Sequence, residues 1–112
     1  FRRSRNRWNA PAATLEINVI GQTHLLEAVR PLGLDPVIQI ACSSEEYGLV
    51  HPDELPITED HALRPLSPYA VSKVAQEYLA TSAGLSQGLH IVRARIFNLL
   101  GPGQPPDLVG QQ

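Results

Sequence analysis

The sequence belongs to the α/β class on three observations: two short runs rich in β-branched residues, an amphipathic helical pattern before each, and a single helix joining one run to the next. A helix between two strands of one sheet returns the chain in the same direction, so the strands pair in parallel. The order along the chain is helix, strand, long loop, helix, strand. At 112 residues and 43% hydrophobic, the chain suffices for one small domain with a core and not for two.

From Pro11 to about Leu32, Leu15, Val19, Leu26 and Val29 recur near a 3.6-residue period, and Ile17, Ile20 and Leu25 widen the stripe. Asn9 and Pro11 supply entry chemistry, Pro31 and Gly33 the exit. Gly21 in its middle costs about 1 kcal/mol of helix propensity relative to alanine, which predicts close approach to a neighbouring element, the alternative being that the glycine is merely tolerated. The run VIQIAC at 37–42 is nearly continuous and apolar, fitting a strand covered on both faces. Between Ser43 and Leu66 neither period survives, and so long a loop inside a compact domain predicts a functional role.

Ser67 as N-cap and Pro68 at the first helical position open a second helix, which runs to about Leu85 before Gly88. Its predicted apolar face is Ala70, Val71, Val74, Ala75, Tyr78 and Leu79. HIVRARIF at 90–97 is the second strand, and Arg93 and Arg95 on one side predict a face that is partly wet or meets anions. GPGQPP at 101–106 continues neither element and reads as a loop.

Composition excludes several classes. No apolar stretch approaches the roughly 20 residues that span a bilayer, and no signal-like segment opens the chain, so a soluble, cytoplasmic protein without a membrane partner is expected. The one cysteine, Cys42, forms no internal disulfide and leaves no cysteine pair for zinc, and it reads first as a small apolar strand residue. His24, His51, His61 and His90 lack metal-ligand spacing, so no metal is expected. Arg2, Arg3, Arg5 and Arg7 crowd the opening of a chain whose net charge is −2. With no aromatic interleaving beyond Trp8, they read as a solvated end and not as a nucleic-acid arm. A chain that starts with Phe1 and holds no methionine reads as an excerpt of something longer.

The only lysine, Lys73, stands four places after Tyr69 within SPYAVSK. On a helix those positions share a face, so a phenol and an ammonium converge. A nearby cation favours the phenolate and lowers the tyrosine pKa from its reference of about 10, giving a general acid or base usable near neutrality. Arginine, a rigid fork instead of a compact point charge, would serve less well. Taken alone, such a pair reads equally as a surface contact worth a few tenths of a kcal/mol. CSSEEYG at 42–48, however, places hydroxyls and carboxylates at the C-terminal end of a parallel strand, where open α/β sheets carry their sites. There Ser43 can hydrogen-bond a reacting hydroxyl or carbonyl and Glu45 can abstract a proton. The plainer alternatives are turn chemistry for Ser43 and Ser44 and a solvated edge for Glu45 and Glu46. The four features together favour catalysis.

Ser43, Tyr47-Gly48 and Tyr69-Ala-Val-Ser-Lys73, with Tyr69 standing 26 positions after Ser43, resemble the extended short-chain dehydrogenase/reductase family of nucleotide-sugar epimerases, dehydratases and reductases. Asn18-Val-Ile-Gly21, Leu25-Leu26-Glu27-Ala28, and Phe97-Asn98 followed by Gly101-Pro-Gly103 add to the likeness. Within that family, Ser-Ser-Glu-Glu-Tyr-Gly and Arg64-Pro-Leu-Ser-Pro-Tyr69 are similar to the GDP-mannose 4,6-dehydratase group and its relatives, the GDP-4-keto-6-deoxymannose reductases. The run at 97–104 is closer to the reductases.

The resemblance implies NAD or NADP as cofactor, a GDP-linked nucleotide sugar as substrate, and a homodimeric or larger parent. Ser43 would orient the sugar hydroxyl, Tyr69 exchange the proton, and Lys73 bind the nicotinamide ribose while lowering the tyrosine pKa. Glu45 stands where dehydratases carry their C5 base. Asn98 would approach the substrate diphosphate, Ser44 would lie beside the substrate and Cys42 beside the cofactor. Arg64 is either a partner of a substrate phosphate or a loop anchor.

The glycine-rich phosphate loop, the first strands and the C-terminal substrate region of the family are absent. The expected architecture is therefore the middle part of a Rossmann-type doubly wound parallel sheet lacking its N-terminal dinucleotide-binding half, with residues 9–112 as the fragment and 1–8 as an unmatched basic end. Two alternatives accompany the enzymatic reading: an inactive truncated remnant, and a non-catalytic dinucleotide-sensing or interaction protein on the same fold.

Overall fold

The structure, a computed structural model, describes residues 10–97 and Pro102. The arginine-rich opening, Asn98 and most of the 101–106 loop lie outside the described residues. The first helical region is α1 (Pro11–Leu15), a π turn (Glu16–Ile20), α2 (Gly21–Val29) and a 3-10 turn (Arg30–Leu32), matching the predicted extent. Pro11 occupies the first turn, where its missing N–H costs nothing. The π turn was not predicted. It lies where Asn18 reaches across to the second long helix, α3 (Pro68–Gln87).

The predicted close approach at Gly21 is corrected. A Cβ there would meet only the Glu16 carbonyl of its own helix, at 3.9 Å. The helix packs through Asn18, Gln22 and Leu26, a stripe of fourfold spacing that Gly21 does not share.

β1 (Val37–Ser43) and β2 (His90–Ile96) pair in parallel, in register from Val37 opposite His90 to Ser43 opposite Ile96. α3 packs against both strands from one side. Ile40 and Cys42 are buried beneath it with Ala80, flanked by Ile38 and Ile91. The alternate positions Val37, Gln39 and Ala41 are exposed, Val37 at 71%. The expectation of cover on both faces is thus met on one face only, because the described helices all lie on that side.

α3 begins as predicted, with the Ser67 hydroxyl accepting the Ala70 N–H at 3.1 Å, and it ends at Gly88, whose φ of 73° closes the helix in the left-handed region. Its buried positions are Ala70, Ser72, Glu77 and Ala80. The predicted apolar face is corrected accordingly, since Val71 and Tyr78 are 47% and 57% exposed. Polar residues take the deep positions because partners await them. Ser72 donates to the Tyr69 carbonyl at 2.6 Å and accepts from Asn18 at 3.0 Å, while Glu77 meets arginines of β2. One layer further out, Gln22 and Gln76 exchange hydrogen bonds of 2.8 and 2.9 Å between α2 and α3. Among the described residues, no helix is long and apolar enough to cross a membrane.

Candidate functional site

The site forms at the C-terminal end of β1. Ser43 ends the strand and caps the 3-10 turn Ser44–Glu46: its hydroxyl accepts the Glu45 N–H at 3.1 Å, and its own N–H donates to Glu46 Oε2 at 2.8 Å. Main chain and side chain of Ser43 are therefore both fixed. Ser44 and Glu45 are half-buried on the same turn, the Ser44 carbonyl accepting the Tyr47 N–H at 3.1 Å.

The long loop then doubles back. Gly48 adopts φ 55°, and a Cβ there would collide with the Arg64 carbonyl, so only glycine permits the strap. Across it, Leu49 N–H donates to the Arg64 carbonyl at 3.2 Å and Arg64 N–H to the Tyr47 carbonyl at 3.3 Å. The Arg64 guanidinium grips Glu54 with two bonds of 2.9 and 3.0 Å and donates to the Leu49 carbonyl at 2.9 Å. Arg64 and the His51 N–H hold the Glu54 carboxyl low, at about 2. Of the two roles foreseen for Arg64, its side chain is engaged as loop anchor.

Tyr69 and Lys73 stand on the first two turns of α3, which packs against β1 and against the Ser44–Glu46 turn. The ammonium lies 5.9 Å from the centre of the phenol ring. Burial pulls the Lys73 pKa down, opposed by Cys42 and Glu46, which places the cation beside the strand end that carries Ser43. Cys42 is buried, its thiol directed to the Ile40 carbonyl at 3.6 Å; burial first, then Glu77, push it up to about 12, so it is a neutral thiol at physiological pH. Ser43, Ser44, Glu45, Tyr69 and Lys73 are thus gathered at one end of the sheet. Asn98 lies outside the described residues.

A buried ionic group behind this site was missed from the sequence. Glu77 is fully buried and receives Arg95 Nε at 2.9 Å, Arg95 Nη2 at 2.6 Å and Arg93 Nη1 at 3.2 Å. Glu46 is equally buried, and its carboxyl, that of Glu77 and the Cys42 thiol lie within 4.8 Å of one another. Burial, opposed by the Ser43 N–H and reinforced by Glu77, pushes Glu46 up to about 7. Burial also works to raise Glu77, but hydrogen bonds from Arg95 and the Glu46 carboxyl hold it well below the usual range. Two signals were available: Ser43-x-x-Glu46 is a capping-box pattern, and Arg93 and Arg95 were expected to meet anions.

The arrangement suits proton exchange at a polarised carbonyl or hydroxyl. A phenol beside a half-buried cation can supply a proton, and a fixed hydroxyl at the strand end can orient a reacting oxygen.

The family model for GDP-mannose 4,6 dehydratase matches residues 4–112, entering the arginine-rich opening. The chain is 40% identical over 99 residues to a GDP-6-deoxy-D-mannose reductase of Pseudomonas aeruginosa, covering 88% of this chain and 33% of that protein. It is 34% identical over 97 residues to a GDP-mannose 4,6-dehydratase of Vibrio cholerae, covering 85% of this chain and 26% of that one. The solved structure of RMD from Pseudomonas aeruginosa complexed with NADPH superimposes with a TM-score of 0.87 at 38% identity, over 94% of this chain and 35% of that one. Solved UDP-glucose 4-epimerases in complex with NAD are also similar. The chain spans about a third of the length of the curated reductase it matches.

Proposed function

Because the chain belongs to the GDP-mannose 4,6-dehydratase family, whose solved neighbours hold NADPH or NAD, we propose that it carries the proton-transfer site of an NAD(P)-dependent enzyme acting on a GDP-linked sugar. One observation carries this reading: Tyr69 and Lys73 share a face of α3 where that helix packs on the strand end fixed by Ser43. Lys73 fits the ribose of a dinucleotide, offering three ammonium donors beside the phenol. Buried Cys42 offers the cofactor only main-chain contact. When bound, the cofactor supplies or accepts a hydride.

The chain's own groups do the rest. Ser43 orients the sugar oxygen. Tyr69 gives or takes its proton, with Lys73 stabilising the phenolate left behind. Glu45 and Ser44 border the substrate from the same turn, and Asn98 is assigned to the diphosphate. Arg64 serves the substrate indirectly, by shaping the loop. Ile17, Val71 and Tyr78, exposed on the two long helices, are the surface through which a homodimer would form.

The likeness to the Pseudomonas reductase favours the reductase form, in which the bound cofactor would supply the hydride and Tyr69 donates a proton to the C4 oxygen of GDP-4-keto-6-deoxymannose. In the dehydratase form, which the family model supports and Glu45 is compatible with, the same site would convert GDP-mannose with no net consumption of cofactor. The intact protein is to be given each sugar in turn. Stoichiometric NADPH oxidation with the keto sugar and none with GDP-mannose is the expected outcome; conversion of GDP-mannose without NADPH loss establishes the dehydratase, and inertness toward both rejects the reading.

A further inference from the structure

Glu46 does more than cap a turn. Its Oε2 holds the Ser43 N–H at 2.8 Å, and its Oε1 is buried with no donor facing it among the described residues. An ionised carboxyl so placed, beside a second fully buried carboxyl, would be left with an unanswered charge. Every charged or titratable group facing it bears on that charge. Cys42 on β1 is a neutral thiol. Glu77 on α3 is already negative. Arg95 and Arg93 on β2 are turned to Glu77, Arg95 also touching the Tyr47 hydroxyl at 3.2 Å. Lys73 on α3 is the remaining cation nearby among the described residues. A proton on Oε1, donated to Glu77, satisfies both acids at once.

We propose that Glu46 is a positioning residue, which holds Ser43 at the end of β1 and, through a proton shared with Glu77, ties that serine to the helix carrying Tyr69 and Lys73. The inference rests on the proton-transfer reading above. It adds a residue outside the reacting set and a pH sensitivity belonging to neither the phenol nor the ammonium. Loss of the shared proton sets two buried anions against each other, separates strand end from helix, and draws Lys73 toward Glu46. Glutamine reproduces the protonated acid: its carbonyl accepts from Ser43 and its amide donates to Glu77. Leucine fills the space and makes neither bond.

The test compares wild type, E46Q, E46L and Y69F in the intact protein across about pH 5 to 9, reading kcat and KM together with hydrogen exchange of the Ser43 amide. The wild-type kcat is expected to fall as pH rises through about 7, and E46Q to lack that fall while keeping kcat within about threefold below it. E46L should lower kcat by about tenfold or more with KM within about twofold, and should expose the Ser43 amide to exchange. If Y69F is dead while E46L keeps the wild-type kcat and pH profile, the inference is overturned and the proton-transfer reading stands. Should E46L fail to fold, an E46Q profile superimposable on wild type overturns it equally. If Y69F turns over normally, the underlying reading is wrong and the inference falls with it.

Discussion

Glu77 is the residue at which α3, β2 and the strand-end turn meet. Two arginines and the Glu46 carboxyl face it, and Arg95 is itself only 15% exposed. Removing one partner of such a pair leaves the other charge buried, so Glu77→Leu should cost about 3 kcal/mol or more, read from urea unfolding. The two acids should also shape stability against pH with opposite signs. Glu46 has a native pKa above its ordinary 4.5, so its contribution is fully present below 4.5 and is lost as pH rises through about 7. Glu77 has a native pKa depressed to about 2, so its contribution is present above 4.5 and is lost as pH falls toward 2. Unfolding midpoints of E46Q should therefore lose the decline that wild type shows between these limits on the neutral side. At this scale Ser43, Tyr69 and Lys73 were legible, because helical spacing and a strand end dictate where such side chains go. Glu46 and Glu77 were not: an acid is read as solvated until its partners are known, and the arginines lie 16 and 18 residues further along the chain from Glu77.

The elements were legible wherever a cap or breaker fixes the backbone. Ser67, Pro68 and Gly88 placed both ends of α3, and Ser67→Ala should cost about 1 kcal/mol of stability, measured by denaturant unfolding, because the Ala70 N–H loses its acceptor. Hydrophobicity was a poorer guide to orientation. It assigned Val71 and Tyr78 to the buried side of α3, whereas that side is completed by Ser72 and Glu77, whose needs are met by Asn18 and Arg95. The segment 43–66 carries no period because nothing periodic holds it. Its order comes from local devices, the Ser43 capping box, the Gly48 geometry, the Arg64 fork on Glu54 and the Arg95 bond to the Glu59 carbonyl, and the pairing of Arg64 with Glu54 was left open by spacing alone.

Across the described residues the chain is a parallel pair of strands with helices on one side, and the parallel pairing followed from the order of apolar runs and the single helix between them. The open face of β1 departs from the expectation drawn from a continuous apolar run, since the described helices leave Val37 and Ala41 uncovered. What the architecture achieves is a common end, where a strand terminus and the first turns of a helix bring hydroxyl, phenol and ammonium together. The most direct measurement is the turnover of Tyr69→Phe in the intact protein, with NADPH affinity recorded alongside. The phenol as proton carrier predicts a loss in kcat of about a hundredfold or more with NADPH affinity little changed. Turnover close to wild type would contradict the account.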